Sequence, residues 1–197
     1  MRPSKSYFYK TLYKDISQKL EINKNLQFID FACGHGQLLH DFKFKKYLGV
    51  DIDENEILSL KLKFPNQAFY NEDILFFKSS IKGDLACCVE TFGFNTKFDK
   101  KKLINTLKNI SSNLNTNGSF FLNIHHELFE AYEEDLNFFF KKFKKVKIKR
   151  YGYFTERRSK LIHKILFQLE RSLSKIFNSG KYLYIKCEDY SSDFSTK

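Results

Sequence analysis

The sequence predicts an α/β protein built on a doubly wound, mainly parallel sheet, and three observations carry that expectation. Short apolar runs alternate with segments of helical period five times between residues 28 and 124. Alternation of this kind lays strands side by side and puts helices on both faces of the sheet. The first run, Phe28-Ile29-Asp30-Phe31, feeds straight into Ala32-Cys33-Gly34-His35-Gly36, where the glycines allow positive φ and close approach of a ligand to the main chain. The second run, residues 46–50, delivers Asp51 to its tip. An acid there, beside a glycine-rich turn after strand one, is an arrangement that grips ribose hydroxyls.

Each element has its own signal. Residues 7–20 read as an amphipathic helix with Phe8, Leu12, Ile16 and Leu20 near helical spacing. Strand one follows, then a helix over about 37–42. After strand two, Asp53-Glu54-Asn55-Glu56 makes a capped, acidic helix start, and Ile57, Leu58, Leu60, Leu62 and Phe64 carry the apolar positions to Pro65. Residues 67–70 form a short third strand, 84–89 the fourth, and 100–114 the next helix. A turn over Asn115-Thr116-Asn117-Gly118-Ser119 leads into strand five, 120–124. Residues 127–143 read as one long helix with the Phe138-Phe139-Phe140 run facing core on two sides. Residues 146–154 and 181–187 alternate as strands six and seven, with a helical pattern over 155–178 between them and a polar tail over 188–197.

With 23 Phe and 11 Tyr the chain can fill a sizeable core. One domain is expected over 1–197: an N-terminal helix (1–25), a core (26–154), a helical insertion (155–180), then the last strand and tail (181–197). No apolar run approaches the ~20 residues that span a bilayer, and the first residues lack the apolar stretch of a signal peptide. Cys33, Cys87, Cys88 and Cys187 have no C-x-x-C spacing, so metal and redox roles are not expected, and Cys87 and Cys88 read as buried, inert thiols. A reduced, cytoplasmic protein is expected. The net charge of +11 is unevenly placed: residues 1–140 hold 18 basic and 18 acidic side chains, residues 141–197 hold 16 basic and 5 acidic. Codon bias spreads lysine along a chain and cannot produce that split.

The spacing of the first turn separates cofactor classes. A dinucleotide turn needs a third glycine three residues after Gly36, where Leu39 stands, and no G-x-x-x-x-G-K-Ser/Thr phosphate loop is present. The run over 30–36 resembles the first motif of class I S-adenosylmethionine-dependent methyltransferases, an acid-x-G-x-G-x-G turn. Asp30, Cys33, Gly34 and Gly36 match it, Ala32 replaces the first Gly, and His35 replaces the commoner Thr. Gly49-Val50-Asp51 resembles the second motif, and Asn71-Glu72-Asp73-Ile74 the third. Residues 84–90 resemble the fourth strand, leading to the loop Thr91-Phe92-Gly93-Phe94, and residues 115–124 resemble the turn and fifth strand. The resemblance spans roughly residues 26–125. It implies a Rossmann-like seven-stranded sheet in the order 3-2-1-4-5-7-6, here with a helical insertion between strands 6 and 7. It implies S-adenosylmethionine as cofactor, held by Asp30, Ala32, Cys33, Gly34 and Gly36 (turn), Asp51 (ribose) with Ile52 next to it, Asp73 and Ile74 (adenine), and Glu90 after strand four.

Around that core several residues invite a role. His125 and His126 follow strand five directly, and with an unperturbed pKa near ~6.5 either could take a proton from a hydroxyl nucleophile; capping the next helix or facing solvent is the plainer reading. Glu90 could orient a substrate or hold the methionine amino group, or be an exposed strand-end acid. Tyr7, Tyr9 and Tyr13 could form a lid over the cofactor or simply pack. No third ligand stands near the His pair, so no metal site is expected. In the insertion, an apolar stripe (Leu161, Ile162, Ile165, Leu166, Leu169, Leu173, Ile176, Phe177) backs a face bearing Arg157, Arg158, Lys160, His163, Lys164, Arg171 and Lys175. Three readings of 157–177 stay open: a helix packed on the domain, peripheral contact with an anionic membrane on its inner face, or a rim tracking nucleic-acid phosphates. No Asn-Pro-Pro-Tyr-like motif follows strand four, which ranks nucleic acid below a lipid surface.

The sequence thus leads to an S-adenosylmethionine-dependent methyltransferase acting on a small-molecule or lipid/envelope-sugar acceptor, with oxygen the expected acceptor atom and no obligate protein partner evident. The alternatives are an RNA methyltransferase using the basic C-terminal face, and a non-catalytic cofactor-binding partner subunit.

Overall fold

A computed structural model describes residues 3–92, 99–151, 169 and 182–191. In chain order the elements are α1 (Pro3–Ile22), β1 (Gln27–Phe31), α2 (Gln37–Asp41), β2 (Lys46–Asp51), α3 (Glu54–Lys63), β3 (Ala68–Asn71), β4 (Gly83–Phe92), α4 (Lys100–Ser112), β5 (Leu114–His125), α5 (His126–Ala131), α6 (Glu133–Phe140), β6 (Phe143–Tyr151) and β7 (Tyr182–Tyr190). The strands form one seven-stranded sheet in the order β3-β2-β1-β4-β5-β7-β6. The first five run parallel, and β7 pairs antiparallel with both β5 and β6. This is the expected order.

The period of two along each strand divides the core into two layers. Ile29, Phe31, Leu48, Val50, Leu122 and Ile124 point to the side covered by α4, α5 and α6, where they meet Leu103, Leu107, Ile110, Phe129, Leu136 and Phe139. Phe28, Tyr47, Leu85, Cys87, Phe121 and Tyr184 point to the other side, against Phe8, Leu12 and Ile16 of α1, Leu38 and Leu39 of α2, and Ile57 and Leu60 of α3. Side-chain caps start two helices, one of them the capped start expected at Asp53. Asp53 accepts from the N–H groups of Asn55 and Glu56 at the head of α3, and Asp99 accepts from Lys102 N at the head of α4.

A polar latch pins α1 to the sheet. Asp15 accepts from the Tyr184 hydroxyl at 2.7 Å and from Lys186 Nζ at 3.1 Å. Lys186 also reaches Glu188 at 3.4 Å, and Glu188 pairs with Lys19 at 2.7 Å. These lysines hold the Glu188 carboxyl below its ordinary range, against the opposing effect of burial.

Several boundaries differ from the sequence reading. The long helix expected over 127–143 is two helices broken at Tyr132 (φ −130, ψ 28). Glu133, Glu134 and Asp135 place three acids in the first turn of α6, where a helix N-terminus favours negative charge. Of the aromatic run, Phe139 and Phe140 are buried but Phe138 is about half exposed, because one helix cannot bury three consecutive side chains against one layer. The turn expected over 115–119 lies inside the span of β5, as a register irregularity between Gly83↔Leu114 and Leu85↔Ser119. β4 runs on to Phe92. The expected polar tail begins too early: Glu188, Asp189 and Tyr190 belong to β7, with Tyr190 opposite Phe143.

β6 lies at the edge of the sheet with Lys144, Lys145, Lys147 and Lys149 exposed. Lysines along an open edge discourage pairing with another chain, which gives part of the C-terminal charge a local cause. Among the described residues no helix is long and apolar enough to cross a membrane. The basic stripe and membrane contact expected over 157–177 lie outside the described residues apart from Leu169.

Candidate functional site

The carboxyl ends of β1, β2 and β4 open onto a cavity of about 490 Å³, a volume suited to a nucleotide-sized ligand. Its wall includes the turn after β1 (Ala32, Cys33, Gly34, His35), the tip of β2 (Asp51, Ile52), Asp73 and Ile74 after β3, and Val89, Glu90 and Thr91 of β4. Tyr9 of α1 and Lys102 and Thr106 of α4 close it.

The turn owes its shape to departures from ordinary backbone at three alternate residues. Ala32, Gly34 and Gly36 have φ of 58, 49 and 73. Left-handed backbone costs an L-residue roughly 1–2 kcal/mol, so Ala32 carries strain that the glycine usual in such turns would not. At Gly36 a Cβ would stand 2.6 Å from Leu60 Cδ2, so α3 packs where a side chain would have to go. At Gly34 a Cβ would meet nothing within 4 Å, and the bare backbone faces open cavity. Asp51 ties this turn to β2: its Oδ2 accepts from Gly34 N at 2.7 Å and its Oδ1 from Asp53 N at 3.0 Å. Each carboxylate oxygen keeps a second lone pair for a ligand hydroxyl. Cys33 N donates to Val50 O at 3.1 Å, completing the lacing.

Asp30 sits beneath the turn, 3 % exposed, accepting from the Tyr47 hydroxyl at 2.7 Å and the Cys87 thiol at 2.9 Å. Burial pushes its carboxyl up to about 6; the two donors pull it down, and Asp51 adds to the rise. Burial raises all three thiols of the region, Cys88 to about 12 and Cys33 and Cys87 above their ordinary value, which fits the inert role expected of Cys87 and Cys88.

Ile52 is 72 % exposed although apolar, and Ile74 is partly buried; both flank the cavity. Asp73 shapes its own turn, its Oδ1 accepting from Leu75 N at 2.8 Å. At the far side of β1, Glu90 has φ 62 within a register shift between Cys88 and Phe92. Its N–H donates to Asn123 Oδ1 at 2.7 Å, and Asn123 Nδ2 donates to the Tyr151 hydroxyl at 3.1 Å. Burial first, then the Glu90 charge, raises the Tyr9 phenol above its ordinary range.

The structure therefore gathers Asp30, Ala32, Cys33, Gly34, Asp51, Ile52, Asp73, Ile74 and Glu90 on one cavity, with Gly36 immediately behind it. It does not bring His125 or His126 there. His125 is buried at the end of β5, its ring 4.7 Å from that of His126 and 5.1 Å from Tyr182, and neither histidine lines the cavity. Of the tyrosines on α1, Tyr9 reaches the wall, while Tyr13 bonds Asp41 and packs on Phe42. Lys102, Thr106 and Asn123 were not singled out from the sequence. Lys102 and Thr106 are four apart on α4 and share a face, but nothing local says which face meets the cavity. Asn123 had a legible signal, an amide inside the apolar run Phe120-Phe121-Leu122-Asn123-Ile124.

No protein-family model matches the sequence, and no curated protein sequence matches it. Solved structures do. The N-methyltransferase NodS from Bradyrhizobium japonicum is similar at TM-score 0.62 and 11% identity, over 93% of this chain and 97% of that one. An S-adenosylmethionine-dependent methyltransferase from Clostridium acetobutylicum is similar at 0.58 and 18%, over 93% and 92%. The chain has the class I methyltransferase fold. A third similar structure, the amino pentose methyltransferase CalS10 from Micromonospora echinaspora, has TM-score 0.50 and 15% identity over 58% of this chain; only half of that protein's length is spanned. The cavity lies where this methyltransferase fold turns its parallel strands toward the crevice beyond their carboxyl ends.

Proposed function

We propose that the chain is an S-adenosylmethionine-dependent methyltransferase acting on a small-molecule acceptor. The observation that carries this reading is Asp51: a carboxylate at the tip of β2, held by the amides of Gly34 and Asp53, on the wall of a cavity to which Gly34 beside it presents bare backbone. A ribose bearing two adjacent hydroxyls is the group such an acid receives. The exposed face of Ile52 and the side chain of Ile74 supply apolar cover for a purine, with Asp73 beside them to accept from its amino group.

The residues present fit this cofactor. When bound, it supplies an electrophilic methyl on a positively charged sulfur. The protein's part is alignment and charge: Asp30, Asp51, Asp73 and Glu90 put four acidic side chains on the wall of a site that receives a cation. Glu90, on the strand two over from Asp51 in the sheet and on the same cavity wall, would take the ammonium at the amino-acid end of the cofactor. His125 and His126, the candidate bases for a hydroxyl acceptor, do not line the cavity, and the proposal extends to a small-molecule acceptor without naming the acceptor atom. NodS and CalS10 are described as acting at nitrogen and on an amino pentose, which supports acceptors of that size.

Calorimetric titration with S-adenosylhomocysteine, with NAD as control, tests the reading. Micromolar binding of the first alone is the expected result. Absence of binding by protein with a cooperative thermal melt would overturn it. Methyl transfer to an acceptor in a small-molecule extract then separates an enzyme from a silent cofactor-binding subunit.

A further inference from the structure

The unexplained feature of the cavity is the backbone of Glu90. A non-glycine residue at φ 62 inside a strand is strained, and something must hold it. The holder is visible in the next strand. Asn123, 7 % exposed on β5, uses both ends of its amide: Oδ1 accepts from Glu90 N at 2.7 Å, and Nδ2 donates to the Tyr151 hydroxyl at 3.1 Å. Tyr151 is itself fixed, its ring stacked on Phe8 of α1 at 5.3 Å and on Tyr182 of β7 at 5.6 Å. An amide whose oxygen takes a main-chain N–H and whose nitrogen is anchored by a buried phenol has one orientation only, because a flipped amide would point its NH₂ at the Glu90 N–H.

We infer that Asn123 and Tyr151 are positioning residues that hold Glu90 in its left-handed conformation so that its carboxylate meets the ammonium of the bound cofactor's amino-acid end. The inference rests on the proposed function. It assigns a task to an asparagine in the middle of an apolar strand and to a tyrosine on the far edge strand. It also links the anchor to α1, since Phe8 stacks on Tyr151 one residue before Tyr9 enters the cavity wall.

The test compares two ligands that share the thioether nucleoside: S-adenosylhomocysteine, and methylthioadenosine, which lacks the amino-acid end. Both are titrated calorimetrically into the wild type, Glu90→Gln, Asn123→Leu, Tyr151→Phe, and the Glu90→Gln/Asn123→Leu double variant. Asn123→Leu and Glu90→Gln are each expected to weaken S-adenosylhomocysteine about tenfold, and Tyr151→Phe about threefold, the range of a charge-assisted hydrogen bond lost or misaligned. Methylthioadenosine should stay within about twofold throughout, and the double variant should be no weaker than about twofold below either single one, since both act through one contact. Should Asn123→Leu fail to fold, Tyr151→Phe, which removes one hydroxyl and keeps both ring stacks, carries the comparison. Equal weakening of both ligands overturns the inference, because a merely structural role moves them together; so does unchanged S-adenosylhomocysteine affinity in Asn123→Leu and Tyr151→Phe. A folded wild type that binds neither ligand overturns the proposed function, and the inference falls with it.

Discussion

Replacing Asp30 by Asn should change how stability depends on pH, in a direction and by an amount that follow from its surroundings. The carboxyl is buried beneath the turn after β1, and its pKa is pushed up to about 6 from an ordinary 3.8. A group that binds its proton more tightly folded than unfolded contributes stability that is fully present below pH 3.8 and is lost as pH rises through 6. The shift of about two units is worth about 3 kcal/mol in all. Asparagine keeps the shape and cannot ionise. Its NH₂ must face one of the two donors, the Tyr47 hydroxyl or the Cys87 thiol, so Asp30→Asn carries a fixed cost that does not vary with pH. Urea denaturation of both proteins, followed by circular dichroism at half-unit steps from pH 4 to 7.5, gives the difference curve. The wild type should lose about 2.5 kcal/mol relative to the variant across that range. A flat difference, or one that rises with pH, would refute the assignment of Asp30 as a buried acid kept at a cost. An acid that destabilises the empty site at neutral pH is one whose charge a cationic ligand can use.

Four further single substitutions test the turn and the latch on α1. Asp51→Ala should abolish measurable binding of S-adenosylhomocysteine and also lower stability by about 1–3 kcal/mol, since Gly34 N and Asp53 N both lose their acceptor; calorimetry and urea denaturation separate the two effects. At the strained positions the signs should oppose: Ala32→Gly relieves left-handed strain but frees the unfolded chain, for a net gain of about 0.5 kcal/mol, whereas Gly36→Ala adds that strain and a Cβ against Leu60, costing about 2–3 kcal/mol by urea denaturation. Asp15→Ala removes the acceptor of Tyr184 and Lys186 and should cost about 1–3 kcal/mol in thermal unfolding, with Glu188 still pairing Lys186.

What was legible in the sequence was whatever local pattern dictates. The turn over 30–36 and the acid at 51 were readable because positive φ and strand-tip position have residue signatures, and α3 because Asp53 caps it. The break at Tyr132 was not, since apolar residues recur at helical spacing along 127–143 with no Gly or Pro between them, and only the cluster Glu133-Glu134-Asp135 hints at a second start. The failure of His125 and His126 to reach the cavity was hidden for another reason. His125 ends, and His126 follows, a strand whose carboxyl end faces the same way as those that line the site, but β5 pairs on its far side with β7, and His125 is turned into contact with Tyr182. Lys102 and Thr106 depended on the phase of α4 about its axis, which packing of Leu103 and Leu107 decides.

The position of β7 bears on how the chain acquires this structure. The last of the seven strands in chain order sits between β5 and β6, so both final strands join the sheet only when it pairs with β5. Until it does, the edge of β5 is open along Phe120-Phe121-Leu122-Asn123-Ile124, and β6 has no strand to pair with. An unpaired, strongly apolar edge is the species on which intermolecular association competes with folding. Tyr182, which stacks on Tyr151, arrives with the same strand. On a growing chain, then, the cradle after β1 can assemble early from contacts close in sequence, while the wall around Glu90 waits for the last strand, and refolding in the test tube should show the ligand-competent state appearing only with the slowest phase.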